Sequence, residues 1–277
     1  MSRRSPEAGP PPSVELRSAR DIQALDRAAA AARAAARRAV LACREGLTTA
    51  ALAEIARREI LSAGANPAFE GYRPSGAPSP FPAAACVSVN EQALHAPPGE
   101  RRLRPGDLVT VDVGVELEGW LGDYAESVVV PGPAEPVELL RAAQRAAAVA
   151  IRACRPGVWW SAVARAVRAS LASEGWMALP GYAGHGIGRA LHEQPRAAYD
   201  ARPGDSGDFV LLPGMVFTIE PVVVSPPGAV RIEPDGWTVR TADGSSACHL
   251  ERTVAITRAG ARVLGLCRSC RPAPSGL

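Results

Sequence analysis

Lysine is absent from this 277-residue chain, so its 31 cationic side chains are all arginine. Beside abundant Ala, Gly and Pro, this is compositional drift and carries no functional message. Net charge is scarce too. At +3 it gives no reason to expect a nucleic-acid partner, because such partners call for a strongly positive surface. No run of about 18 apolar residues is present, so no membrane-spanning helix is expected. The opening MSRRSPEAGPPPS carries two arginines with no apolar segment behind them. It does not read as a secretory signal, and a cytoplasmic address is expected. The six cysteines (Cys43, Cys86, Cys154, Cys248, Cys267 and Cys270) are scattered, which predicts reduced thiols. Cys267 and Cys270 form a lone C-x-x-C with no second pair or adjacent His, a weak metal or redox signal.

What remains is an ordinary globular composition, 47% apolar and 21% charged. Residues 1–14 are Pro-rich and polar and read as a disordered tail. Ser18 and Asp21 form a capping-box pattern ahead of a long Ala/Arg helix that stops at Gly46. Its apolar stripe is thin (Ile22, Leu25, Val40, Leu41), and its expected role is packing on a sheet rather than binding RNA. A second helix is predicted from Thr49 to about Ser62, and residues 71–82 (GYRPSGAPSPFP) read as loop. Strand patterning follows in AAACVSVNEQALH, DLVTVDVGVEL and AESVVV. Two helices are expected over Pro136–Arg155 and Ser161–Glu174, then strands near 213–224 and 247–257. The repeated helix-helix-strands order suggests an α+β architecture of two similar halves around one sheet, divided near residue 132.

Asp112, Asp123, His185, Glu220 and Glu251 are the candidate functional set. Asp112 and Asp123 lie eleven residues apart across a turn at Glu118-Gly119. Asp112 shares a strand face with Thr110 and Gly114, opposite Val109, Val111, Val113 and Val115. Glu220 and Glu251 also interrupt Val-, Ile-, Phe- and Thr-rich strands, where a solvated surface acid is not expected. Four carboxylates gathered in a core repel one another unless cations neutralise them. The set therefore reads as a site for two divalent metals, and its one imidazole favours Mn, Fe, Co or Zn. A dinucleotide-binding reading of GHGIGRA fails, because Gly184, Gly186 and Gly188 lack the required spacing.

GHGIGRALHEQP, PGMVFTIEP, DGWTVRT and LERTVAIT, with the Asp112–Asp123 spacing, resemble type I methionine aminopeptidase over about residues 15–266. The resemblance implies a pita-bread fold, with two pseudo-symmetric halves around a curved, mainly antiparallel sheet and helices on its outer face. It implies one catalytic domain over 15–266 with a C-terminal tail at 267–277. The implied activity is removal of the initiator Met from nascent proteins, with small second residues preferred. The implied metal ligands are Asp112, Asp123, His185, Glu220 and Glu251. His95 is placed at the scissile amide, His192 at the carbonyl and its oxyanion, and Glu220 also as proton acceptor. Tyr72, Phe81, Cys86, Leu191 and Trp237 are expected to line a Met-sized pocket. A monomer working near the ribosomal exit tunnel is the implied setting, with no membrane and no specific nucleic acid. His249, two residues before Glu251 and expected on the same strand face, is a candidate for orienting a ligand.

Four positions depart from the resemblance. Ala96 stands where Gly usually follows the first His, Tyr124 where Ser or Thr is common, and Arg252 where His usually follows the last Glu. The loop between Tyr72 and Phe81 is about six residues longer than usual. These departures are expected to alter pocket shape. Two other readings stay open: a proline-directed peptidase resembling prolidase or aminopeptidase P, and a non-catalytic binding module of the same fold. The first usually carries a large N-terminal domain, and the second degenerate ligands.

Overall fold

The computed structural model describes residues 14–132 and 137–266. The tail expected over 1–14 lies outside them except for Val14, as do 267–277 with Cys267 and Cys270. Helix α1 (Ala19–Ala42) starts at the expected capping box, with Ser18 and Asp21 bonded reciprocally. Helix α2 (Thr49–Ser62) follows, capped by Thr48. The buried face of α1 differs from expectation. Ile22 is half-buried and Leu41 is 75% exposed, while eight alanines with Leu25 and Val40 form the contact. Small side chains let the helix backbone come down onto the sheet. A Cβ added at Gly122 would lie 2.3 Å from the Ala28 carbonyl carbon.

The strands then follow in order. The first half has β1 (Asn66–Pro67), β2 (Cys86–Val89), β3 (Gln92–Leu94), β4 (Leu108–Leu117) and β5 (Trp120–Val129). After helices α3 (Val137–Ala153) and α4 (Trp160–Ala172) come β6 (Met177–Ala178), β7 (Ala183–Gly186), β8 (Glu193–Ala198), β9 (Val216–Ile219) and β10 (Val222–Val224). Last are β11 (Val230–Ile232), β12 (Val239–Thr241), β13 (Cys248–His249), β14 (Glu251–Thr257) and β15 (Gly260–Val263). The long sheet runs β1-β4-β5-β14-β9-β7-β8, with β2 beside β4 and β15 beside β14. Its pairings are antiparallel throughout. Each half has its own helix layer and core. Helices α1 and α2 cover Val109, Val111, Val113 and Val115, whereas α3 and α4 pack with Phe217, Ile219, Val254 and Ile256. This is the pita-bread α+β fold expected from the sequence.

Two details set up the site. First, β5 begins at Trp120 rather than near Ala125, because Glu118 (φ 54°) and Gly119 (φ 74°) make a tight left-handed hairpin turn. Asp123 therefore lies within a ten-residue ladder opposite Gly114. Second, the expected strands at 213–224 and 247–257 each break in two. β9 pairs with β14 in the long sheet, while β10 pairs with β13 in a small sheet, Val222 opposite His249. The two chain segments cross together between sheets, with Glu220-Pro221 and Leu250 at the crossing.

Candidate metal centre

Five consecutive strands of the long sheet each deliver one member of the candidate set. Asp112 comes from β4, Asp123 from β5, Glu251 from the first position of β14, Glu220 from just past β9, and His185 from β7. Asp112, Asp123 and Glu251 alternate away from the helix-covered face and are almost fully buried. His185 Nε2 stands 3.9 Å from Asp123 Oδ2 and 3.6 Å from Glu220 Oε1. Donor atoms of Asp123, His185 and Glu251 lie within 4.8 Å of one another, as do those of Glu220, His249 and Glu251.

The electrostatics are those of acids without a counter-charge. Burial raises the Asp112 carboxyl to about 7, with Glu220 adding to the effect and His249 opposing it. Burial first, and then neighbouring carboxylates, push Asp123 and Glu251 up as well. Glu220 is the exception. Burial opposes its charge, but His249, His185 and the Thr218 hydroxyl outweigh that and hold it below the usual range. Asp112 Oδ1 and Glu251 Oε1 are buried with no hydrogen-bond partner. Hard oxygen donors left unpaired beside an imidazole suit divalent cations, whose charge reverses the cost of gathering the acids.

Thr218 escaped the sequence reading. Its hydroxyl donates to Glu220 Oε1 and accepts the His185 N–H at 2.9 Å, so one buried side chain orients two members of the set. The signal was available: Thr218 precedes Glu220 by two residues, the repeat of one strand face.

Around the acids stand the other predicted residues. His95 stands exposed just past β3 in a left-handed conformation (φ 58°), which costs on the order of 1–3 kcal/mol for a residue other than glycine. Desolvation, then the imidazoles around it, hold both His95 and His192 down to about 4. Phe81, Cys86 and Leu191 belong to one apolar cluster, with Tyr72 and Trp237 packed against it. The Phe81 and Trp237 rings meet edge-on at 5.1 Å. Cys86 lies directly opposite Asp112 in the β2–β4 ladder, so the cluster adjoins the acids. The long loop after Tyr72 leaves this geometry in place. Its neck is closed by Gly71 N–H to Phe81 O and Phe81 N–H to Tyr72 O, at 2.9 and 2.8 Å.

Two of the departures face away from the acids. Tyr124 and Arg252 are register partners across β5 and β14, and the guanidinium stacks 4.2 Å from the Tyr124 ring centre. They alternate with Asp123 and Glu251, so they belong to the helix-covered face, where Tyr124 joins the α1 core. Ala96 is buried and bonded to β2 through Val87 and Ser88.

An acid-rich donor set with one imidazole, on an antiparallel α+β frame, defines a metal-dependent hydrolase. Residues 23–258 match the profile of metallopeptidase family M24, and the chain belongs to that family. It is 43% identical over 215 residues to the methionine aminopeptidase of Treponema pallidum, covering 76% of this chain and 80% of the relative. It is 34% identical over 254 residues to that of Aquifex aeolicus, covering 91% and 98%. The crystal structure of methionine aminopeptidase from Rickettsia prowazekii superposes with a TM-score of 0.85 at 28% identity, over 91% of this chain and all of that one.

Proposed function

We propose that this protein is a methionine aminopeptidase that removes the initiator Met from nascent polypeptides, preferring a small second residue. The observation that carries the reading is the delivery of Asp112, Asp123, Glu251, Glu220 and His185 from five adjoining strands, beside an apolar cluster that includes Phe81, Cys86 and Leu191. Residues 15–266 form its catalytic domain. Two divalent ions (Co, Mn, Fe or Zn) held by those five side chains would supply Lewis acidity and make water a nucleophile at neutral pH.

The chain's own residues do the rest. Glu220, held below its usual range unlike the other three acids of the set, is charged at neutral pH and accepts the proton of the attacking water. His192, neutral at that pH, donates an N–H to the oxygen that becomes negative in the tetrahedral state. His95 hydrogen-bonds the scissile amide nitrogen. Tyr72, Phe81, Cys86, Leu191 and Trp237 hold the Met side chain, and the acidic set draws in the free amine, which restricts cleavage to the first residue. Nascent polypeptides emerge from the ribosomal exit tunnel in the cytoplasm, and the enzyme is proposed to act there as a monomer. No described helix is long and apolar enough to cross a membrane.

The test compares Met-Ala-Ser with Xaa-Pro peptides after loading each candidate metal. Met release is expected, lost on chelation and in Asp112→Ala and Glu220→Ala proteins that still fold. Preferential Xaa-Pro cleavage, or turnover that survives chelation, sinks the assignment.

A further inference from the structure

His249 does more than hold Glu220 in its charged form. His249 is 2% exposed, and its Nε2 is buried with no hydrogen-bond partner. That nitrogen stands 3.7 Å from Glu220 Oε2, beyond hydrogen-bond reach. The ring also sits within electrostatic range of Asp112.

The position is built. His249 ends β13, pinned opposite Val222 of β10. Its carbonyl accepts the Ser127 hydroxyl at 2.6 Å, and Ser127 in turn pairs with Thr110 at 2.7 Å. Side-chain hydroxyls of β4 and β5, the strands that carry Asp112 and Asp123, thus hold the His249 backbone beside the acids. The same-strand placement with Glu251 expected from sequence is not what brings His249 here. It arrives from the small sheet, at the point where the chain crosses over.

The donor atoms fall into two groups of three that share one residue: Asp123, His185 and Glu251, and Glu220, His249 and Glu251. Each group has one imidazole, and Glu251 joins them. We propose that His249 Nε2 is a sixth protein ligand, so that each of two ion positions receives one imidazole instead of both relying on His185. Resting on the two-metal reading above, this assigns the second position to borderline ions that favour nitrogen, such as Co(II), Fe(II) or Zn(II), over Mg(II) or Mn(II).

The test measures metal binding itself, without turnover. The metal-free protein is titrated calorimetrically with Co(II) and separately with Mn(II). X-ray absorption of the Co(II) form then counts imidazoles. The unsubstituted protein should bind two Co(II) with two imidazoles per pair. In His249→Ala the weaker-binding Co(II) should lose affinity by about 10-fold or more, the count should fall to one, and the visible Co(II) absorption should change. Mn(II) affinity should fall less. Circular dichroism checks folding, and His249→Gln, which keeps a polar side chain of similar reach, should lose the same imidazole if the Ala form does not fold. Unchanged Co(II) affinity and spectrum in the variants, or one imidazole in the unsubstituted protein, overturns the proposal. A protein that loads two ions through two imidazoles but releases no Met would instead overturn the functional reading alone.

Discussion

The Tyr72 hydroxyl lies 2.7 Å from Nδ1 of His192, joining residues 120 positions apart. Burial raises the Tyr72 phenol, so it keeps its proton, while His192 is held neutral. A neutral imidazole carries one N–H. A phenol that donates to Nδ1 leaves that N–H on Nε2, the tautomer that can donate to a substrate oxyanion.

Tyr72→Phe should therefore lower kcat for Met-Ala-Ser by about 10-fold, or 1.4 kcal/mol of barrier, while KM changes much less. The ring and its packing survive the change, so a KM effect with unchanged kcat would assign Tyr72 to the pocket wall alone. Steady-state kinetics on the metal-loaded protein decide between them.

Metal loading should be strongly pH-dependent. Asp112 lies near 7, with Asp123 and Glu251 also raised, so between about 4 and 7 the folded metal-free protein holds protons that the unfolded chain has released. Those groups stabilise the metal-free fold in acid and lose that contribution as pH rises through 7. His95 and His192, lowered to about 4, act in the opposite sense between about 4 and 6.5. Cations must displace the carboxyl protons. The rise in Tm on adding Co(II) should thus be larger at pH 8 than at pH 5.5, with protons released on binding. Calorimetry in buffers of different ionisation enthalpy measures that release, and a pH-independent Tm rise would contradict it.

The stack of Arg252 on Tyr124 should contribute to stability and not to substrate choice. A double-mutant cycle with Arg252→Ala and Tyr124→Ala, read by urea unfolding, should give a coupling of about 0.5–2 kcal/mol. The ranking of Met-Gly, Met-Ala and Met-Val peptides should stay the same in Arg252→Ala. A reordered ranking would show that the outer face reaches the pocket.

Gly122→Ala should destabilise the fold by about 1–3 kcal/mol, since the new methyl would press on the α1 backbone at Ala28. Because Gly122 adjoins Asp123, the same variant should also bind Co(II) more weakly. Urea unfolding with calorimetric titration reads both effects.

Much of this was legible in the chain. The Ser18–Asp21 box and the Thr49 and Ser62 limits of α2 are local, set by caps and helical periodicity, and appear where expected. Alternation in LVTVDVGV correctly placed Asp112 opposite the valines. The face of α1 was misread because its contact depends on alanine, whose value lies in what it allows to approach rather than in its own apolar area. The breaks at Glu220-Pro221 and Leu250 were also invisible, because Val- and Thr-rich runs look alike whether they stay in one sheet or cross to another.

The sequence by itself determined the class of chemistry. Acids set into apolar strands are too costly to bury together without cations, so the residues alone point to metal. Tertiary structure decided what surrounds them. Strand order brought five distant residues into one row, register paired Tyr124 with Arg252 on the far face, and the sheet crossing turned His249 toward Glu220. Those relations depend on which strands become neighbours. That choice is made by packing across long chain separations, which local pattern does not encode.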